Sequence, residues 1–177
     1  MRRVLLALII VVAVVGGGYF LAQRQSGPSQ GDNSTYRNDG RVKIPRPKYD
    51  NNEPRLENET KEISTKGDPI VNTMEALLAT SEEGQGKSAF PKGTKLLSLK
   101  VEGGVATVDL SKDFKALSSG GDTARSLAQN SIRKALAQFP SVKKMSVLVE
   151  GKLFSDESGE WEGISVRDDN PQAEAKS

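Results

Sequence analysis

The sequence predicts an α+β fold, with two helices packed on a small sheet of three or four strands in the order α-β-β-α-β. Three observations predict it. Apolar residues recur at helical spacing in two stretches, 70–78 and 124–139. Between them, two alternating runs flank a Gly-Gly turn, and a further alternating run follows the second helical stretch. The 177 residues hold one ordinary domain with appendages.

The chain opens with an apolar segment. Val4 to Ala22 is a run of 19 residues without a charge, and 12 of them are Val, Leu, Ile or Phe. As a helix rising about 1.5 Å per residue it matches the roughly 30 Å hydrocarbon core of a bilayer. Arg2 and Arg3 precede it, and positive flanks stay cytoplasmic, so residues 1–22 read as a signal-anchor with the rest of the chain outside the cell membrane. The competing reading is a cleaved signal peptide, with a site near Gly16-Gly17-Gly18 or Ala22. Either way the body is exported.

Residues 23–66 read as a flexible polar linker. Only Tyr36, Val42, Ile44, Tyr49, Leu56 and Ile63 are apolar among these 44 residues, too few to offset the entropy of ordering. Arg41-Val42-Lys43-Ile44 alternates as an edge strand would, but Pro45 and Pro47 are expected to end it at once.

The domain is expected over 67–167. Asp68 can cap a first helix and Pro69 suits its first position, with Ile70, Val71, Met74, Leu77 and Leu78 on one face and Gly84 as its close. Phe90 is expected in the core. Leu97, Leu99 and Val101, then Ala106, Val108 and Leu110, face that core from a hairpin turning at Glu102-Gly103-Gly104. A polar loop leads to the second helix, which begins at Gly121 or Asp122 and is stopped by Pro140. Its buried face is Ala124, Leu127, Ala128, Ile132, Ala135, Leu136 and Phe139. Met145, Val147 and Val149 mark the last main strand, and Trp161, Ile164 and Val166 can add one short strand. Residues 168–177 read as a disordered tail. With both helices on one sheet face, Lys100, Thr107, Asp109 and Ser146 are expected to line the open face.

Composition excludes much chemistry. The chain has no Cys and no His, which removes thiol nucleophiles, disulfides, Cys- or His-ligated zinc and the common general base. Lys and Arg number 25 against 23 Asp and Glu. Without Arg2 and Arg3 the body is neutral, so it carries no electrostatic footprint for nucleic acid.

Four segments in order resemble the GerMN domain of spore-germination, sporulation and other bacterial envelope proteins. They are Met74–Ala79, Phe90–Ser98, Glu102–Ser111 with Phe114, and Gln138–Lys143 followed by Val147 to Gly151. Together they span about residues 68–152. The resemblance implies an exported, membrane- or lipid-anchored α/β module with no established catalytic activity, similar in fold to the ring-building motif of secretion-system rings, and no cofactor is expected. The stretch before the first helix departs from the family, which usually carries an apolar strand there.

No residue is assigned a catalytic, cofactor-binding or metal-binding role. Ser131-Ile-Arg-Lys134 fits a Ser-x-x-Lys pattern but lies in mid-helix without partner motifs. Asp156, Glu157, Glu160 and Glu162 do not follow the alternating calcium pattern. Asp109 and Asp113 read as a strand-end acid and a helix-capping acid rather than a glycosidase pair. What remains is an interaction surface, Lys100, Thr107 and Asp109 with Lys95 at its edge, for an envelope protein or a second copy of the chain. The alternative is binding to peptidoglycan or an anionic wall polymer, or wall modification. That reading uses Lys95, Lys100, Lys112 and the basic cluster Arg41, Lys43, Arg46 and Lys48.

Overall fold

In the computed structural model the first helix begins where Asp68 and Pro69 predict. Residues 36, 39–51, 53–83 and 86–167 are described. They belong to the second of the chain's two units, Ser34–Ser177; the first, Met1–Asn33, lies outside the described residues and with it the expected anchor. Among the described residues no helix is long and apolar enough to cross a membrane. The expected tail, 168–177, is likewise outside them.

Helix α1, Pro69–Leu78, is capped by Asp68, whose carboxylate accepts the Ile70 N–H at 2.8 Å. It buries Ile70, Met74, Leu77 and Leu78 as its spacing requires. The chain then tightens into a 3₁₀ segment, Ala79–Glu83, so the regular helix ends before the expected close at Gly84, itself outside the described residues. A second 3₁₀ segment, Lys112–Ser119, occupies the polar loop and buries Phe114 and Leu117. Helix α2, Gly121–Ala137, follows.

The main sheet has strand β3, Leu96–Glu102, at its edge, next to β4, Val105–Leu110, and then β5, Lys144–Val149. β3 and β4 are antiparallel, whereas β4 and β5 are parallel, and α2 forms the crossover that a parallel pair needs. From α1 to β5 the expected α-β-β-α-β order is present, but the strand count differs from the three or four expected. The far edge of β5 is shared by two short pieces, β6 (Lys152–Leu153) and β9 (Ile164–Ser165), so five strands contribute. β7 (Ser155–Asp156) and β8 (Gly159–Glu160) make a separate small hairpin between them.

Alternation in β3 is broken by a bulge between Leu96 and Ser98. Leu96, not the expected Leu97, consequently packs on the core, and Leu97 is left 53% exposed. Phe90, Phe114, Phe154 and Trp161 fill one end of the core, with the Phe114 and Phe154 rings 4.9 Å apart and edge-on.

The largest departure lies in the expected linker. Arg41–Asp50 (β1) and Glu53–Glu62 (β2) form an antiparallel hairpin of two ten-residue strands. Val42 and Ile44 are 1% exposed and join the same core as the helices. Burying two such side chains contributes roughly 1.5–3 kcal/mol each, and the cross-strand ladder and the Gln138 bonds to Lys43 add to the ordering of the hairpin. The prolines do not end β1 because of their phase. Pairing runs from Asp50↔Glu53 next to the turn, so Pro45, Pro47 and Lys43 occupy the positions whose backbone groups point away from β2. A missing N–H there costs the ladder nothing. Also within the expected linker, Tyr36 donates its N–H to the Gln138 carbonyl at 2.7 Å and rests its ring 4.9 Å from that of Phe139.

Candidate functional site

The open face of the main sheet is built by register. Lys100 lies opposite Thr107, which lies opposite Ser146, and the neighbouring row runs Ser98, Asp109, Leu148. Ala106, Val108 and Leu110 point from β4 into the core, so Thr107 and Asp109 emerge on the other side, half-buried among their neighbours. Lys100 and Ser98 are exposed. Lys100, Thr107 and Asp109 thus share one surface.

Lys95 is placed differently. Its backbone is tied to Ser111, accepting that residue's N–H at 2.9 Å and donating to its Oγ at 3.0 Å. It lines a hollow of about 320 Å³ between β3 and the end of α1, together with Glu75, Leu78, Glu82 and Leu96. A wider groove of about 660 Å³ runs between β2 and α2, bordered by Arg55, Leu56, Ser126, Leu127, Asn130 and Lys134.

The carboxylates weighed for chemistry have structural partners. Asp109 accepts the Gly151 N–H on both oxygens, at 3.0 and 3.1 Å, and so holds the turn after β5. In that turn Glu150 and Gly151 both take positive φ, 51° and 74°. Asp113 accepts the Ser111 hydroxyl at 3.2 Å. Asp156 faces inward, accepting the Trp161 indole N–H at 3.0 Å and the Ser158 N–H at 2.8 Å. Its side chain is 2% exposed and lies 3.8 Å from the buried Arg125 guanidinium, which also pairs with Asp122 and Glu157. Two of the four acids considered for calcium therefore meet a protein cation. Ser131 is fully buried on α2 while Lys134 is exposed, so the two do not converge.

Two members of the basic cluster of the expected linker, Arg46 and Lys48, are paired with acids. Arg46 bonds Glu59 at 2.8 Å, Glu83 at 2.8 and 3.0 Å and the Lys87 carbonyl at 3.1 Å. Lys48 pairs with Glu57 across the hairpin at 3.1 Å. These partnerships were invisible without the hairpin; its signal was the recurrence of Glu at 57 and 59, opposite Arg46 and Ile44.

Comparison with known proteins agrees with the fold. The sequence matches the Germane family, described as sporulation and spore germination, over residues 19–154. No curated protein matches. The tandem GerMN domains of the sporulation protein GerM from Bacillus subtilis are similar in fold, with 23% identity and a TM-score of 0.56 over 79% of this chain and 48% of that one. The first GerMN domain of the same protein is also similar, with 18% identity and a TM-score of 0.52 over 72% of this chain and 94% of that one. The chain spans about half the length of the tandem structure.

Proposed function

The chain belongs to the Germane family of sporulation and spore-germination proteins, and from that premise we propose that it is a non-catalytic assembly module of the bacterial cell envelope. The apolar run Val4–Ala22 holds it at the cell membrane, with Arg2 and Arg3 on the cytoplasmic side and the domain outside. Its partner is an envelope protein or a second copy of the chain, in a process linked to sporulation or germination.

One observation carries this reading. The sheet presents Lys100, Thr107 and Asp109 on a shared open face, while Asp109, Asp113 and Asp156 already accept hydrogen bonds from the protein's own turns and side chains. A face of this kind favours contact over bond-breaking. The pairing of Arg46 and Lys48 with Glu residues takes two cations away from any anionic wall polymer.

The test is sedimentation velocity on the full chain in mild detergent, over a wide concentration range at low and high salt. Concentration-dependent species that persist at high salt are expected, because apolar and backbone contacts are not screened. A strict monomer at every concentration, combined with salt-sensitive binding to purified wall polymer, would overturn the assembly reading in favour of the wall.

A further inference from the structure

We propose that the outer edge of β3 docks a second copy of this chain, as an antiparallel strand pair with its two-fold axis at Leu99. The inference rests on the assembly reading above and specifies its surface. Strand edges are usually protected, and those of this domain are managed unequally. The edge of β5 is covered by β6 and β9. That of β1 is met by the Gln138 side chain at Lys43. β2 shows solvent a charged and polar run, Glu57-Asn58-Glu59-Thr60. β3 is guarded by one bulge at its start and by Lys100 and Glu102, but no strand among the described residues pairs with its outer edge, and Leu97 stands 53% exposed beside it. Leu97 and Tyr49 are the two large apolar side chains so exposed among the described residues.

The register shows what the edge offers. The two-residue Gly103-Gly104 turn makes Glu102 and Val105 the first hydrogen-bonded pair, so Lys100 also turns its backbone towards β4. Leu99 and Val101 turn theirs outward. A second β3 running antiparallel can use those groups in few registers, and centring on Val101 pairs Lys100 with Glu102 but runs into the Gly103-Gly104 turn and leaves Leu97 uncovered. Centring the axis on Lys100 sets Lys100 against its own copy, which like charges disfavour. Centring on Leu99 sets Lys100 against Ser98 and Val101 against Leu97. It also carries Glu102 towards the bulged start of β3 in the second copy, where Lys95 lies. Leu97 is covered, and each end of the pair joins an acid to a base.

The chain lacks cysteine, so single-cysteine variants give a clean readout. Ser98 and Lys100 are both exposed and tolerate substitution without disturbing the core. In the proposed register they form a pair with Cα atoms about 4.5 Å apart, within disulfide range. Full-length Ser98→Cys and Lys100→Cys proteins, mixed in mild detergent and oxidised, are expected to give a mixed dimer in higher yield than either variant alone. Leu97→Asp in the otherwise unaltered chain is expected to weaken dimerisation by about tenfold or more. Stronger cross-linking of Lys100→Cys with itself would overturn the register. Oligomers that neither cross-link nor respond to Leu97→Asp would overturn the β3 surface while leaving the assembly reading intact. A strict monomer would overturn the β3 pairing and leave the assembly reading only with an envelope-protein partner.

Discussion

Gln138 closes the outer edge of β1 by pairing with both backbone groups of Lys43, 95 residues away in sequence. Its Oε1 accepts the Lys43 N–H at 3.0 Å and its Nε2 donates to the Lys43 carbonyl at 3.1 Å, so one side-chain amide stands where a third hairpin strand would. The same Nε2 reaches the Ala135 carbonyl at 2.8 Å near the end of α2. Helix and hairpin are thereby locked in register by a residue that is 4% exposed.

Gln138→Ala removes that bridge and leaves Lys43 backbone groups without their protein partner. Leaving buried or half-buried polar groups unpaired costs about 1–3 kcal/mol. A lower urea midpoint with an unchanged m-value is expected. A midpoint within experimental scatter of the parent would show that water replaces the amide at no cost.

The helices and the main sheet were legible because their patterns are local. Asp68-Pro69, the spacing from Ile70 to Leu78 and the alternation Ala106, Val108, Leu110 each encode an element within about ten residues. The hairpin was not legible, because what orders it is remote. Val42 and Ile44 are only two apolar residues, and their burial depends on the helices that cover them. Pro45 and Pro47 argue against a strand until the register shows which way their nitrogens face. The bulge that exchanges Leu96 for Leu97 has no signal in a run of apolar residues. For the candidate surface, the Lys100–Thr107–Asp109 face followed from period-two alternation. The position of Lys95, just before the bulged start of β3, did not. The structural duties of Asp109 and Asp156 depend on Gly151 and Trp161 and could not be read from spacing.

Ser131 offers a test of opposite sign. Its side chain is buried on α2, with no hydrogen-bond partner for the hydroxyl among the described residues. Replacing a buried, unsatisfied hydroxyl by a methyl group removes a desolvation penalty of about 1 kcal/mol. Ser131→Ala is expected to raise Tm by about 3 °C for a domain of this size. A fall in Tm would mean that the hydroxyl is satisfied by internal water, and would reopen the question of what it binds.

The acids around Arg125 should differ in importance, although all three form ion pairs. The Asp156 side chain is 2% exposed and also holds the Trp161 indole, whereas those of Asp122 and Glu157 are 91% and 83% exposed. Solvent-exposed members of an ion pair contribute little, and buried ones cannot be removed without stranding their partner. Asp156→Ala is therefore expected to lower Tm by more than about 5 °C. Asp122→Asn and Glu157→Gln should leave it nearly unchanged. Equal effects from all three would mean that the cluster acts through net charge and not through the buried carboxylate.

Arg46 ties the hairpin to the segment after α1, and this contact should fade in acid. Its hydrogen bond lowers the pKa of Glu83 from the ordinary value of 4.5, with the charges of Arg46, Lys61 and Lys87 adding to the effect against a smaller opposing desolvation. A carboxyl group depressed in the folded state stabilises that state above the unfolded pKa. The contribution is lost as pH falls through the folded value. Comparison of Arg46→Met with the parent should therefore show its largest loss of stability above about pH 5. The difference should narrow as pH drops below 4.5 and Glu83 protonates. The Glu83 side chain is 40% exposed, so the effect is modest and weakens with salt. A stability difference independent of pH would assign the role of Arg46 to its packing against the hairpin and to its bond to the Lys87 carbonyl, the one partner that does not titrate.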